Sequence, residues 1–326
     1  MASIMETRTG QRRNPCPRAG GLALMLGLCA ILGTGMVGAA EGPPPRPRTA
    51  LKVCADPYSL PSSNKEEKGF ENRIARIFAA DLKLPLRYTW FPQRMGFIRN
   101  TLKSTDTPDK SYKCDLVMGV VENFELAART PPYYRSSWAM VYRQGSGLDD
   151  VHSLADLAAL SPERRAKLRI GAFDQSPIMI WLHDHGFMEQ VLPYPMLSGD
   201  IRAYPGEIVD KELVSGRIDL TFVWGPIGGY FAKEIAAAKG AAPTVGAAKG
   251  VAPKVVVIPL ASEPGLKLEY GISMAVRHGE KEWKETVTGL IERHQAEIHK
   301  ILAEYGVPLI EAPAKVAEGN GGLQKR

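Results

Sequence analysis

The chain has 326 residues, 44% of them hydrophobic and 23% charged, which is enough apolar material to bury a sizeable core and too much for a disordered chain. The formal charge is +6, but Arg8, Arg12, Arg13 and Arg18 against Glu6 carry three of those units, leaving 6 − 3 = +3 beyond residue 40. That small surplus speaks against a charge-driven nucleic-acid binder.

Residues 1–40 read as a secretory signal peptide. A basic start precedes the apolar run GLALMLGLCAILGTGMVG (21–38), and the small residues Gly38-Ala39-Ala40 offer a cleavage site. The alternative is an uncleaved anchor, but 18 glycine-interrupted residues lie near the lower limit for a spanning helix. Leu28 ahead of Cys29 argues against a lipid anchor. Cleavage near Ala40 would leave an exported mature protein. It is not membrane-embedded, since no second long apolar run follows. EGPPPRPRTA (41–50) is a Pro-rich extended leader.

Strand and helix then alternate. LKVCADP (51–57) reads as a strand. GFENRIARIFAADL (69–82) is a helix with Phe70, Ile74, Ile77 and Phe78 on one face. LRYTWFP (86–92) is a strand, and GFIRNTLKS (96–104) a short helix. CDLVMGV (114–120) is a continuous apolar run, expected of a parallel strand covered on both faces. SSWAMVYR (136–143) is a further strand.

A second series begins with the strand LRIGAF (168–173), the helix SPIMIWLHDHGF (176–187) and the strand PYPML (193–197). A helix at 204–217, a strand at 218–226, a helix at 228–239, strands at 254–260 and 270–277 and one long helix over about 280–305 complete it. AAKGAAP (237–243) nearly repeats as AAKGVAP (247–253) and reads as a low-complexity surface loop. The fold class is therefore α/β, with two lobes, two inter-lobe crossings and a cleft between them. Lobe 1 takes 51–143 and 263–326; lobe 2 takes 144–262.

Beyond residue 40 two cysteines remain, Cys54 and Cys114. In an exported chain the pair suggests a disulfide, with two buried thiols as the alternative. No CxxC or HxxxH spacing supports a metal site, and no cofactor motif is present.

GFENRIA (69–75), TPPYYRSSWAMV (130–141) and SGRIDLTFV (215–223) resemble segments of type II periplasmic solute-binding proteins, family 3-like. KVCADP, SNKEEKGFEN, YTWFPQRMGFIRNTL, CDLVMGV, PPYYRSS and VWGPIGGYFAK, in that order, resemble a narrower family: the binding-protein-like J components encoded with methanol dehydrogenases, of MxaJ/XoxJ type. That resemblance implies a periplasmic accessory of a pyrroloquinoline-quinone (PQQ) methanol dehydrogenase and its cytochrome c. The sequence departs from amino-acid receptors at both charged grips. Leu126 follows Glu125 where their carboxylate-binding arginine is expected, and Trp224-Gly225-Pro226 stands where an acid should hold the amino group. A buried zwitterion needs charge-assisted partners, so amino-acid binding is not expected.

Tyr133, Tyr134 and Arg135 should lie at the hinge and cleft rim, with Tyr133 packing and Tyr134 and Arg135 open to either role. Candidate cleft residues are Tyr58, Asn64, Glu71, Trp90, Arg94, Arg99, Tyr134, Arg135, Gln175, Ser176, Trp224 and Tyr230. Trp224 either fills the cleft or stacks on a flat small-molecule ligand. Ser176 looks like an N-cap ahead of Pro177, and Arg94 or Arg99 is an anion candidate against the default of solvated surface. His183 and His185, two apart on a helix, face different ways and make poor metal partners. No catalytic residue is assigned, and the chain is read as a non-enzyme. The enzyme alternative is a dehydratase with Glu71 or Asp174 as the acid. A second alternative is an ABC-transporter receptor for a small non-amino-acid solute.

Overall fold

The structure, a computed structural model, describes residues 47–196, 200, 202–238 and 253–311. Residues 1–40, read from the sequence as a signal peptide, most of the Pro-rich leader and most of the repeat loop lie outside the described residues.

The described elements are β1 (Leu51–Ala55), the hairpin β2 (Tyr58–Ser59) and β3 (Ser63–Asn64), α1 (Phe70–Asp81), β4 (Leu86–Trp90), α2 (Phe97–Asn100), β5 (Leu116–Val121), β6 (Ala128–Arg129) and β7 (Tyr134–Arg143). Then come α3 (Leu154–Ala158), α4 (Pro162–Arg165), β8 (Ile170–Phe173), α5 (Ile178–Asp184), β9 (Val191–Tyr194) and a π-helical segment at Ile208–Leu213. β10 (Leu220–Trp224), α6 (Gly225–Ala237), β11 (Val255–Pro259), β12 (Glu269–Val276), α7 (Lys281–Arg293) and α8 (Gln295–Glu304) follow.

Ten strands join in the order β4-β1-β5-β12-β7-β10-β8-β9, with β11 added on β7 and β6 on β12. β7 is the shared strand. Its first residues pair antiparallel with β12 (Tyr134 with Ile272, Ser137 with Glu269), and its remainder pairs with β10 and β11 (Trp138 with Trp224, Ala139 with Pro259). The apolar cores divide along the same strand. One gathers Leu51, Phe70, Leu116, Met274, Val287 and Leu302, from both ends of the chain; another gathers Tyr142, Leu157, Ile170, Trp181, Leu220 and Leu268. Two α/β halves thus share one long strand, the two-lobed architecture expected from the alternation of elements.

The helical spacing of α1 has a direct packing consequence: Phe70, Ile74 and Phe78, four apart, are all fully buried. Gly69 before it presses on the hairpin, where a Cβ would come within 2.1 Å of the Ser62 carbonyl oxygen. Asn72 Oδ1 accepts from the Gly69 N–H (3.0 Å) and the Asn64 N–H (3.2 Å), tying α1 to β3. β5 is buried as its apolar run requires, but it is parallel only to β1 and runs antiparallel to β12. Cys54 and Cys114 are disulfide-bonded across a sequence separation of 60. Closing such a loop contributes about 4 kcal/mol in the chain-entropy account.

Several boundaries differ from the sequence reading. The predicted helix at 96–104 is a single turn in α2, entered through Gly96 at φ +86. α6 starts at Gly225, with Pro226 in its first turn, where the missing N–H costs nothing. The predicted long last helix breaks at His294 into α7 and α8, and His294 turns its Nε2 to Asp81 Oδ2 at 2.7 Å. Ser176 is not an N-cap. α5 begins at Ile178, and the buried Ser176 hydroxyl donates back to the Phe173 carbonyl at 2.7 Å.

Candidate functional site

Ligands in open α/β sheets bind beyond the carboxyl ends of strands. Here β1 ends into Asp56, β4 into Pro92 and Gln93, β8 at Phe173 and β10 at Trp224. These ends converge on two adjoining cavities of about 170 and 300 Å³, which share Ser59, Gln93, Pro205, Trp224 and Ile227 in their walls.

The rim is built by short-range chemistry. Asp56 accepts from the Tyr58 N–H (2.8 Å) and the Gln93 N–H (2.6 Å), so one carboxylate fixes the loops after β1 and β4. Glu71, in the first turn of α1, projects into the smaller cavity. Its Oε1 occupies space opened by Gly119, where a Cβ would sit 2.4 Å away and where φ is +71. A side chain at that position would be strained by the backbone and would have to displace the Glu71 carboxyl. Burial, helped by the nearby Asp56 charge, pushes the Glu71 carboxyl up to about 8, so it carries its proton at neutral pH. The Tyr134 phenol is likewise driven far above its usual range by burial. Tyr134 packs edge-on to Tyr133 (4.9 Å between ring centres) and Phe70 (6.1 Å), and Trp224 packs edge-on to Tyr270 (6.0 Å). A neutral acid between aromatic walls suits a small, flat or weakly polar occupant better than a zwitterion.

Of the sequence candidates, the cleft brings together Tyr58, Glu71, Arg94, Tyr134 and Trp224. Arg94 donates to the Asp200 backbone carbonyl across the mouth. The others lie elsewhere. Asn64 is buried, and its side-chain oxygen accepts from the Lys68 N–H at 2.7 Å. Trp90 stacks on Tyr88 at 4.6 Å against the first core. Arg99 lines a neighbouring groove and neither of the two cleft cavities. Arg135 is ion-paired with Glu122 at 2.8 Å, since the alternation along β7 turns it away from Tyr134's face. Gln175 is exposed in the turn before α5. Tyr230 stacks on Tyr305 at 5.8 Å, away from the cavities. Tyr133 is a packing residue, 1% exposed. Leu126, at the position of the missing receptor arginine, is outside the cleft. Asp174 accepts from the Met196 N–H at 3.0 Å, and His185 stacks on Trp181 at 4.1 Å.

The sequence reading missed Asp56, Ser59, Trp138, Phe173, Tyr204 and Pro205. Asp56, Trp138 and Phe173 lie in or beside strands that were identified, and a rule taking the last residue of each predicted strand would have found Phe173. Tyr204 and Pro205 sit ahead of the π-helical segment and gave no such signal.

No protein-family model matches the chain. A solved periplasmic binding protein, XoxJ from Methylobacterium extorquens AM1, is 30% identical, with a TM-score of 0.60 over 81% of this chain and 100% of that one. Protein MoxJ of Paracoccus denitrificans is 23% identical over 271 residues, 80% of this chain and 90% of the relative. An uncharacterised protein in the cycB 3′ region of Paracoccus denitrificans is 56% identical over 48 residues, and the match spans 58% of that relative's length.

Proposed function

The chain belongs to the XoxJ/MxaJ family of periplasmic binding proteins, and from that premise we propose that it is a periplasmic accessory protein of a PQQ-dependent methanol dehydrogenase. The observation that carries the reading is the 30% identity sustained along the whole of the solved XoxJ chain. In this reading the protein is exported, loses its leader near Ala40, and works through contacts with the dehydrogenase and its cytochrome c rather than by turnover. The disulfide suits an oxidising compartment. The hinge lies where β7 leaves the first lobe and where the chain returns near residue 263. Loss of the charged grips on a zwitterion, with a protonated Glu71 and Trp224 in the cleft, fits a scaffold that no longer captures free amino acids.

Deletion of the gene tests the proposal. Methanol-dehydrogenase activity in the deletion strain should fall and return on complementation; normal activity in the mutant removes the accessory role.

The adjoining cavities favour a second reading, an ABC-type receptor for a small non-amino-acid solute. Calorimetry with free amino acids should give no heat under either reading, and a micromolar signal from any of them overturns both. Hinge closure on a solute, seen by small-angle scattering in a strain-independent assay, would favour the receptor.

A further inference from the structure

A second concavity, of about 520 Å³, borders the cleft, with Gln93, Arg94 and Gly119 in the walls of both. Its floor is Phe97 and Ile98 of α2 with Val117 and Val120 of β5, all buried. Its walls are apolar and exposed: Met95 is 89% exposed, Leu126 57% and Val121 36%. The cause is local. α2 is a single turn, and it leaves the β5 face under-covered on that side.

Arg99 and Lys103 line one wall of this groove, with Arg94 turned to Asp200 at its end, and none of its lining residues is acidic. On the facing wall Glu122, beside Val121, is taken up by Arg135 and Lys267, and Glu125 precedes Leu126. Arg99 and Lys103 are exposed and form no ion pair or side-chain hydrogen bond among the described residues. Solvated lysine and arginine are ordinary. An apolar concavity lined by two unpaired cations and no anion is less so, because a water-facing surface normally intersperses both signs and keeps large apolar side chains apart.

We propose that this groove docks an acidic amphipathic segment of a partner protein, whose apolar side chains enter between Met95 and Leu126 and whose carboxylates meet Arg99 and Lys103. The proposal rests on the reading that the protein acts through protein contacts, and it names the surface. Charge decides among occupants. With Arg48 held by Glu280, the rest of the chain's own leader carries Arg46 against Glu41, and its tail beyond residue 311 carries Lys315, Lys325 and Arg326 against Glu318. Neither brings net negative charge to a positive rim. A second copy would oppose one cationic rim to another. An anionic membrane matches the sign, but a concave floor set behind its rim fits a chain segment better than a bilayer plane.

The test places a photo-crosslinking benzoylphenylalanine at Met95, at Leu126 and, as control, at Ile180, which is 66% exposed on α5. The full-length protein is expressed in its own host and irradiated, and adducts are sequenced. Positions 95 and 126 should crosslink to one segment of a second protein that combines apolar residues with net negative charge, and position 180 should not. Arg99→Glu with Lys103→Glu, both exposed positions, should leave the thermal midpoint unchanged and lower the adduct yield at least tenfold. Adducts to phospholipid, to this chain itself or to a basic segment would overturn the proposal. So would no adduct at either position, or a yield that ignores the charge reversal. The deletion strain is read independently: a dehydrogenase defect with no groove adduct sinks the groove alone, and an acidic partner unrelated to the dehydrogenase sinks the accessory role alone.

Discussion

Two carboxylates sit near opposite ends of β5, and the protein treats them in opposite ways. Asp115, just before the strand, is enclosed by cations. Arg277 forms an ion pair with it, donates to the carbonyls of Leu102 (3.1 Å) and Cys114 (2.5 Å), and reaches Glu280 at 2.7 Å. Arg48 meets Glu280 at 2.9 Å and lies over the Trp283 ring at 4.0 Å, while Trp283 Nε1 donates to the Asp115 carbonyl at 3.0 Å. Glu71, beside Gly119 toward the other end, has no ion pair among the described residues and keeps a proton instead. The difference shows two uses of burial. A compensated charge fastens four chain segments at the base of the lobe. An uncompensated one goes neutral and leaves the cleft without a fixed anion at that point.

The largest expected effect comes from breaking the fastened end. Arg277→Met removes a side chain only 7% exposed and leaves Asp115 charged without its main partner. Stripping one member from a buried pair costs about 3–5 kcal/mol. Urea unfolding should show that loss, and Arg277→Met with Asp115→Leu should recover part of it, because the orphaned charge is then gone. A single substitution costing under about 1 kcal/mol would mean that the Asp115 site is wetter than its geometry implies.

The second effect belongs to the cleft end. Folded, Glu71 holds its proton up to about pH 8; unfolded, a glutamate releases it near 4.5. Between those values the folded chain binds the extra proton. The contribution is therefore complete below the lower value, is lost as pH rises through the upper one, and is constant above it. The stability of the parent relative to Glu71→Gln should decline across that window. A flat difference from pH 4.5 to 8 would place the carboxyl in free contact with water and remove the contrast with Asp115.

How much of this was legible in the sequence depends on the range of the interactions. α1 was readable because its face repeats every turn, β5 because it is apolar throughout, and the disulfide because two cysteines remained after the leader. The Asp115–Arg277 pair joins residues 162 positions apart, and nothing local marks either partner. The break at His294 was hidden because helical periodicity runs through it, and the residue it meets there, Asp81 at the end of α1, is far away in sequence. Within the site, Glu71 and Trp224 were readable as chemistry at the ends of recognisable elements. Asn64, Trp90, Arg135 and Tyr230 were misplaced because their partners (Lys68, Tyr88, Glu122 and Tyr305) decide which way they face.

The smallest expected effect sharpens the contrast from outside. Arg73 and Glu304 join α1 to α8 at 2.6 Å, closer than most pairs among the described residues, yet their side chains are 38% and 43% exposed. Short distance does not make such a pair strong, because water already solvates both partners and two long side chains lose freedom to meet. Arg73→Met should cost less than about 1 kcal/mol in urea unfolding. In 1 M salt, where the screening length is about 3 Å, that cost should shrink toward zero while the Arg277→Met cost persists, since salt ions do not enter the Asp115 site. Equal salt sensitivity at the two arginines would show that exposure is the wrong variable for ranking this protein's ion pairs, and with it would go the contrast between its fastened and its open carboxylate.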